Sequence, residues 1–112
     1  MRKIWIIITF FLLGNYAVSF AQYVEKRVLE GNVHFLSQEY HEALNAYSEV
    51  LVQNPKHAEA YLRRGLTFRA IGDSERYLLD FQQVAKLDPE MLFRYRTGRS
   101  YFPASLKEKG KE

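Results

Sequence analysis

Residues 24–57 and 58–91 lie over one another without a gap at a constant shift of 34 positions. Glu25 falls on Glu59, Gly31 on Gly65, Leu44 on Leu78, Val50 on Val84 and Pro55 on Pro89, while Val28/Leu62 and Tyr47/Phe81 exchange like for like. A period of this length belongs to a supersecondary unit that buries its apolar face against its neighbours, so it constrains the fold more than composition does.

Each unit reads as two helices. Ala43, Leu44, Tyr47, Val50 and Leu51 recur at helical spacing, as do Tyr77, Leu78, Phe81, Val84 and Ala85, and each set makes one apolar stripe. A further apolar helical stretch precedes each stripe, near residues 23–37 and 57–71. The first ends at Ser37-Gln38-Glu39 and the second at Gly72-Asp73, where Asp73 is placed to cap the next helix. Asn54-Pro55 and Asp88-Pro89 suit helix starts, since Asn or Asp accepts hydrogen bonds from free amides and Pro fits the first helical position. Gly31 and Gly65 stand in mid-helix, where glycine costs about 1 kcal/mol relative to alanine, and so mark points where two helices approach too closely for a side chain.

On these residues the chain resembles the tetratricopeptide-repeat (TPR) family over most of residues 24–91. The second unit carries the pattern through Tyr61, Gly65, Phe68, Gly72-Asp73, Phe81 and Asp88-Pro89, and the first through Gly31, Tyr40, Ala43, Leu44, Tyr47 and Pro55. The resemblance implies an all-α, right-handed α-solenoid of two helix-turn-helix repeats, residues 22–57 and 58–91, closed by a C-terminal capping helix at residues 92–102 and followed by a flexible tail at 103–112. Four residues depart from the family pattern, one of them His34, which stands where an aromatic is usual. Tyr77 stands where alanine is usual and should widen the second hairpin or displace its neighbour. Glu30 and Arg64 occupy a site usually held by an aliphatic residue.

The N-terminus has the order of a secretory signal: basic Arg2-Lys3, an apolar run Ile4–Leu13 broken only by Thr9, then Gly14-Asn15 and the small residues Ser19 and Ala21. Residues 1–21 are therefore expected to be a signal peptide cleaved after Ala21, giving a periplasmic or secreted chain of 91 residues and formal charge +1, against +3 for the full sequence. The alternative is an uncleaved membrane anchor, against which the ten-residue apolar core falls short of the roughly twenty residues a span needs. The chain has no cysteine, hence no disulfide and no acylated thiol, and its stability rests on packing. Two units are fewer than the three or so a stack usually needs, which makes a covering C-terminal helix or a homo-oligomer the expected remedy.

The first helix of each repeat implies, by the resemblance, a concave protein-binding groove presenting Glu25, Val28, Asn32, Phe35, Leu62, Leu66 and Arg69. Apolar anchors there would receive a helix or extended segment of a protein partner, oriented by Asn32 and Arg69. Equally, Val28, Phe35 and Leu62 can simply pack between helices. Family members that bind a free C-terminal carboxylate use a clamp of lysine, asparagine and arginine, and Val28 and Leu62 interrupt it here.

His34, His41 and His57 show no metal-ligand spacing, and the acids Glu39, Glu42, Asp73 and Glu75 sit at helix beginnings where they offset the dipole. No phosphate loop, nucleophile elbow, zinc-protease helix or dinucleotide fingerprint occurs, so neither an enzyme nor a cofactor is expected. The basic C-terminal stretch, with Arg94, Arg96 and Arg99 among aromatic residues, reads first as a solvated helix face. Contact with an anionic membrane surface, through that helix or residues 1–21, is the second function class, and nucleic acid is not an expected partner of an exported chain.

Overall fold

The computed structural model describes residues 1–98. Its helices are α1 (Arg2–Leu36), α2 (Tyr40–Gln53), α3 (Ala58–Ala70), α4 (Ser74–Leu87) and α5 (Pro89–Arg96), and no strand occurs among the described residues. The chain is thus all-α with helical-repeat hairpins, as the period implied. It divides into two compact units, residues 1–55 and residues 56 onward. In the first, α1 packs on α2; in the second, α3 packs on α4 and α4 on α5.

The 34-residue period is visible as one packing device used twice. A Cβ added at Gly31 would lie 2.6 Å from Cε1 of Tyr47, and one at Gly65 would lie 2.9 Å from Cδ1 of Phe81. Each glycine lets an aromatic ring of the paired helix lie against its backbone, which explains why a residue poor in helix propensity sits in mid-helix. Around the first contact Val24, Val28, Ala43, Ala46, Val50 and Leu51 are buried; around the second, Ala60, Leu62, Phe68 and Val84.

One difference between the hairpins is compensated. The Tyr47 hydroxyl donates to Oδ1 of buried Asn32 at 2.6 Å. At the equivalent positions the second hairpin has Phe81 and Leu66, so the hydroxyl and its acceptor are replaced together and no buried group is left unsatisfied.

The hairpin turns are also equivalent. Glu39 N–H donates to His34 O at 2.9 Å and Gln38 N–H to Phe35 O at 3.0 Å; Asp73 N–H donates to Phe68 O at 2.9 Å and Gly72 N–H to Arg69 O at 3.1 Å. Both are Schellman motifs, whose pivot residue takes a positive φ. Gly72 does so at 84° at little steric cost, whereas Gln38 does so at 61° with a side chain. Past the turn, Asp73 caps α4 by accepting from the Arg76 amide at 3.1 Å. The longer Glu39 makes no cap bond and reaches His34 at 3.1 Å instead.

Three boundaries differ from the sequence expectation. α1 does not begin near Tyr23 but runs unbroken from Arg2, through Gly14-Asn15. One glycine costs about 1 kcal/mol, too little to stop a helix with strong formers on both sides. Asn54-Pro55 does not open α3: Asn54 ends α2, and α3 starts at Ala58 because the His57 ring accepts from the Ala60 amide at 3.1 Å. Asp88-Pro89 does act as expected, with Asp88 accepting from Met91 N–H at 2.9 Å and Pro89 in the first turn, but α5 then ends at Arg96. Gly98, at φ 69°, turns the chain there, ahead of Pro103. The rest of the expected capping helix and the 103–112 tail lie outside the described residues.

Candidate functional site

In the first hairpin the expected groove residues divide sharply by exposure. Glu25 is exposed, Val28 and Asn32 are buried at 5% and 4%, and Phe35 is half-buried with its ring edge-on to Tyr40 at 5.7 Å. In the second hairpin Leu62 is fully buried, Leu66 is half-buried and Arg69 is exposed. The accessible members are therefore Glu25 and Phe35 on α1 and Leu66 and Arg69 on α3.

Arg69 is held in place. Its guanidinium donates to the Tyr95 hydroxyl at 3.2 Å and lies 5.8 Å from the centre of the Tyr77 ring. Tyr77 stacks on Phe81 at 4.4 Å, and Phe81 meets Tyr95 edge-on at 5.6 Å. The large residue at the usual alanine position is thus accommodated on the ring of Phe81 beneath Arg69. Below this cluster a cleft of about 220 Å³ opens between α4 and α5, with Leu78, Ala85, Leu92 and Arg96 on its walls. In the sequence Tyr77 reads as a member of an apolar stripe and as a departure from the family pattern, and Tyr95 as one of the aromatic residues of the basic C-terminal stretch. Their convergence on Arg69 depends on where α5 lies, which no local pattern encodes.

Charged pairs lock each hairpin internally. In the first, Arg27 on α1 donates to Glu49 on α2 at 2.6 Å and to Glu30 at 2.8 Å. Its hydrogen bond holds the Glu49 carboxyl below the ordinary glutamate range, and the two carboxylates raise the Arg27 guanidinium above its own. In the second, Arg64 grips Asp80 with two parallel bonds of 2.8 and 2.7 Å, which raise the guanidinium above its ordinary value against the opposing effect of burial. Arg64 thus fills the departure from an aliphatic pattern with a bidentate link between α3 and α4.

The histidines have separate local roles. His57 caps α3, His34 meets Glu39, and His41 is exposed on α2. Arg94 and Arg96 are exposed on α5, while Arg99 lies outside the described residues. What the structure offers chemically is apolar and aromatic surface edged by fixed charge, the composition of a protein-contact surface.

Known proteins with similar sequences fit this architecture. The chain is 33% identical over 84 residues to the Hsp70-Hsp90 organizing protein of Triticum aestivum, a match covering 74% of this chain and 14% of that protein. It is 37% identical over 60 residues to Hsp70-Hsp90 organizing protein 1 of Glycine max, covering 54% of this chain and 10% of the relative. A third similarity, 32% over 71 residues, is to a UDP-N-acetylglucosamine–peptide N-acetylglucosaminyltransferase of Giardia intestinalis, covering 63% of this chain and 5% of that enzyme. The chain thus spans only a small fraction of each of these relatives. From the first close-approach glycine to the glycine of the second Schellman motif, residues 31–72 match the TPR repeat family.

Proposed function

We propose that this chain is a TPR protein whose hairpins bind another protein and which performs no catalysis itself. The observation that carries the proposal is the repeated Gly–aromatic contact, Gly31 with Tyr47 and Gly65 with Phe81, lying within the stretch that matches the TPR repeat. Within each hairpin taken by itself that contact supports the first helix, which leaves Glu25 and the half-buried Phe35 accessible on α1, and Arg69 and the half-buried Leu66 accessible on α3. Similarity to two Hsp70-Hsp90 organizing proteins supports a role in bringing proteins together.

The ligand is best matched by an apolar helix or extended segment carrying an acidic group for Arg69. A free-carboxylate clamp is disfavoured, because the buried, apolar Val28 and Leu62 stand at two of its positions. The basic head and apolar stretch at residues 1–21 are the segment that would bring the chain to a membrane for export or retention.

The test is a photo-crosslinking amino acid placed singly at Glu25, Arg69 or, as a control on exposed α4 surface, Lys86, in cells that make the chain. The proposal expects a reproducible protein adduct at Glu25 and Arg69 that is competed by unlabelled chain and absent at Lys86. Adducts of equal yield at all three positions, or at none, would remove the support for binding through α1 and α3.

A further inference from the structure

Every residue from Met1 to Tyr23 is exposed, and the first buried side chain of α1 is Val24. Ile4–Tyr23 contains no charge and is helical throughout. At 1.5 Å per residue these twenty residues span about 30 Å, the thickness of a bilayer's hydrocarbon core. Continuation of the helix beyond Leu13 makes the difference, since the Ile4–Leu13 run alone is too short to cross.

The ends of the segment suit the two edges of a bilayer. Trp5 and Tyr23 lie about 27 Å apart along the helix, matching the separation of the two interfaces where amphipathic aromatic residues collect. Arg2 and Lys3 lie outside one end, and Glu25, Lys26 and Arg27 outside the other. Within the stretch, the Thr9 hydroxyl donates to the carbonyls of Trp5 at 2.8 Å and Ile6 at 2.9 Å, so its polar group needs no water. Asn15 and Ser19 share a shallow hollow flanked by Leu12 and Tyr16.

The junction with the first hairpin favours retention over removal. A chain cut after Ala21 would begin at Gln22, and the carbonyls of Val18 to Ala21 that serve the amides of Gln22 to Glu25 would be lost. Val24, 7% exposed in the hairpin core, would then lie in a frayed first turn. The Ala21–Gln22 bond also sits inside a continuous helix, whereas peptidases take substrate in extended form.

We infer that residues 4–23 are a retained membrane span that passes without a linker into α1 of the first hairpin, fixing that hairpin within about one helical turn of the lipid surface. A bound protein would accordingly be met at the membrane face. The inference rests on the apolar helix and not on the protein-binding reading, so either can fail alone.

The absence of cysteine from the sequence makes the test clean. Single variants Leu13→Cys and Lys26→Cys of the full chain are made in cells, and membranes opened on both sides are treated with a water-soluble maleimide, with and without detergent. Alongside, the intact mass of the mature chain and its resistance to carbonate extraction are measured. The inference expects residues 1–21 in the mature mass, a carbonate-resistant chain, Leu13→Cys labelled only after detergent, and Lys26→Cys labelled without it. A mature chain beginning at Gln22 would overturn it. So would carbonate release, whether Leu13→Cys then labels freely or is shielded in a soluble oligomer in which a second copy covers the helix.

Discussion

Gly31→Ala and Gly65→Ala should differ in effect although the two glycines are equivalent in the repeat. At Gly31 the new methyl would sit 2.6 Å from Cε1 and 2.9 Å from Cδ1 and Cζ of Tyr47, so the ring would have to retreat by close to 1 Å. It has little freedom to do so: Tyr47 is 1% exposed and tied to Asn32 by a 2.6 Å hydrogen bond. Overpacking of this kind costs about 1–3 kcal/mol and a disturbed buried hydrogen bond about 1 more, against a gain of about 1 from alanine's helix propensity. The expected net loss is about 1–3 kcal/mol. At Gly65 the near atoms include Cδ1 of Phe81 at 2.9 Å and Cβ of Asp80 at 3.2 Å, and the half-buried ring has no hydroxyl to anchor it, so the overpacking should exceed the propensity gain by less than at Gly31, a net loss of about 0–1 kcal/mol. Urea unfolding of the full chain in mild detergent, followed by circular dichroism, measures both. Equal losses at the two sites, or a Gly31→Ala variant as stable as the parent, would refute the reasoning.

Other consequences can be checked in the same assay. Tyr47→Phe alone should destabilise by about 1–3 kcal/mol by leaving buried Asn32 without its donor, whereas Asn32→Leu with Tyr47→Phe, which copies the second hairpin, should recover most of that loss in a double-mutant cycle. Gln38→Gly should stabilise the first hairpin by about 1 kcal/mol, since Gln38 holds φ 61° where the equivalent residue is Gly72. Arg64→Ala should cost more than Asp80→Ala, roughly 2–4 against 1–2 kcal/mol, because the Asp80 side chain is 5% exposed and Arg64 23%, so the stranded carboxylate reaches water less easily. The Glu49 carboxyl titrates lower in the folded chain than in the unfolded one. Its contribution is therefore present above the ordinary value near 4.5 and lost as pH falls below it, a small effect at a half-exposed site that Arg27→Met should largely remove, the Tyr23 hydrogen bond keeping a smaller part, in a pH series of unfolding midpoints.

The hairpins were legible in the sequence because their determinants are local or periodic. Gly31 and Gly65 announced close approaches, the apolar stripes announced helices, and Asp73 and Asp88 announced caps. What escaped had a physical reason in each case. Asn54-Pro55 looked like Asp88-Pro89, but a histidine ring three residues beyond Asn54 supplied the acceptor that set the start of α3. Gln38 gave no sign of a left-handed residue, because the Schellman turn is imposed by the packing of α1 on α2 and not by that side chain. Of the expected groove, Val28, Asn32 and Leu62 follow the same spacing as their accessible neighbours, and spacing alone does not separate a helix face turned to water from one turned to its partner. The joining of Arg69, Tyr77 and Tyr95 depends on α5 packing against α4, a tertiary fact with no local signature.

Binding through the exposed residues of α1 and α3 is tested most directly by the affinity of the full chain for its crosslinked partner after Arg69→Glu, with Tyr95→Phe and Lys86→Glu as controls. Tyr95→Phe removes the internal hydrogen bond to Arg69 yet leaves the guanidinium available, and Lys86→Glu makes the same charge change on α4. The account predicts that Arg69→Glu weakens binding by about tenfold or more, roughly 1.4 kcal/mol, with helicity unchanged, while both controls stay near the parent value. Equal affinity for all four chains, or a loss at Lys86→Glu as large as at Arg69→Glu, would contradict it.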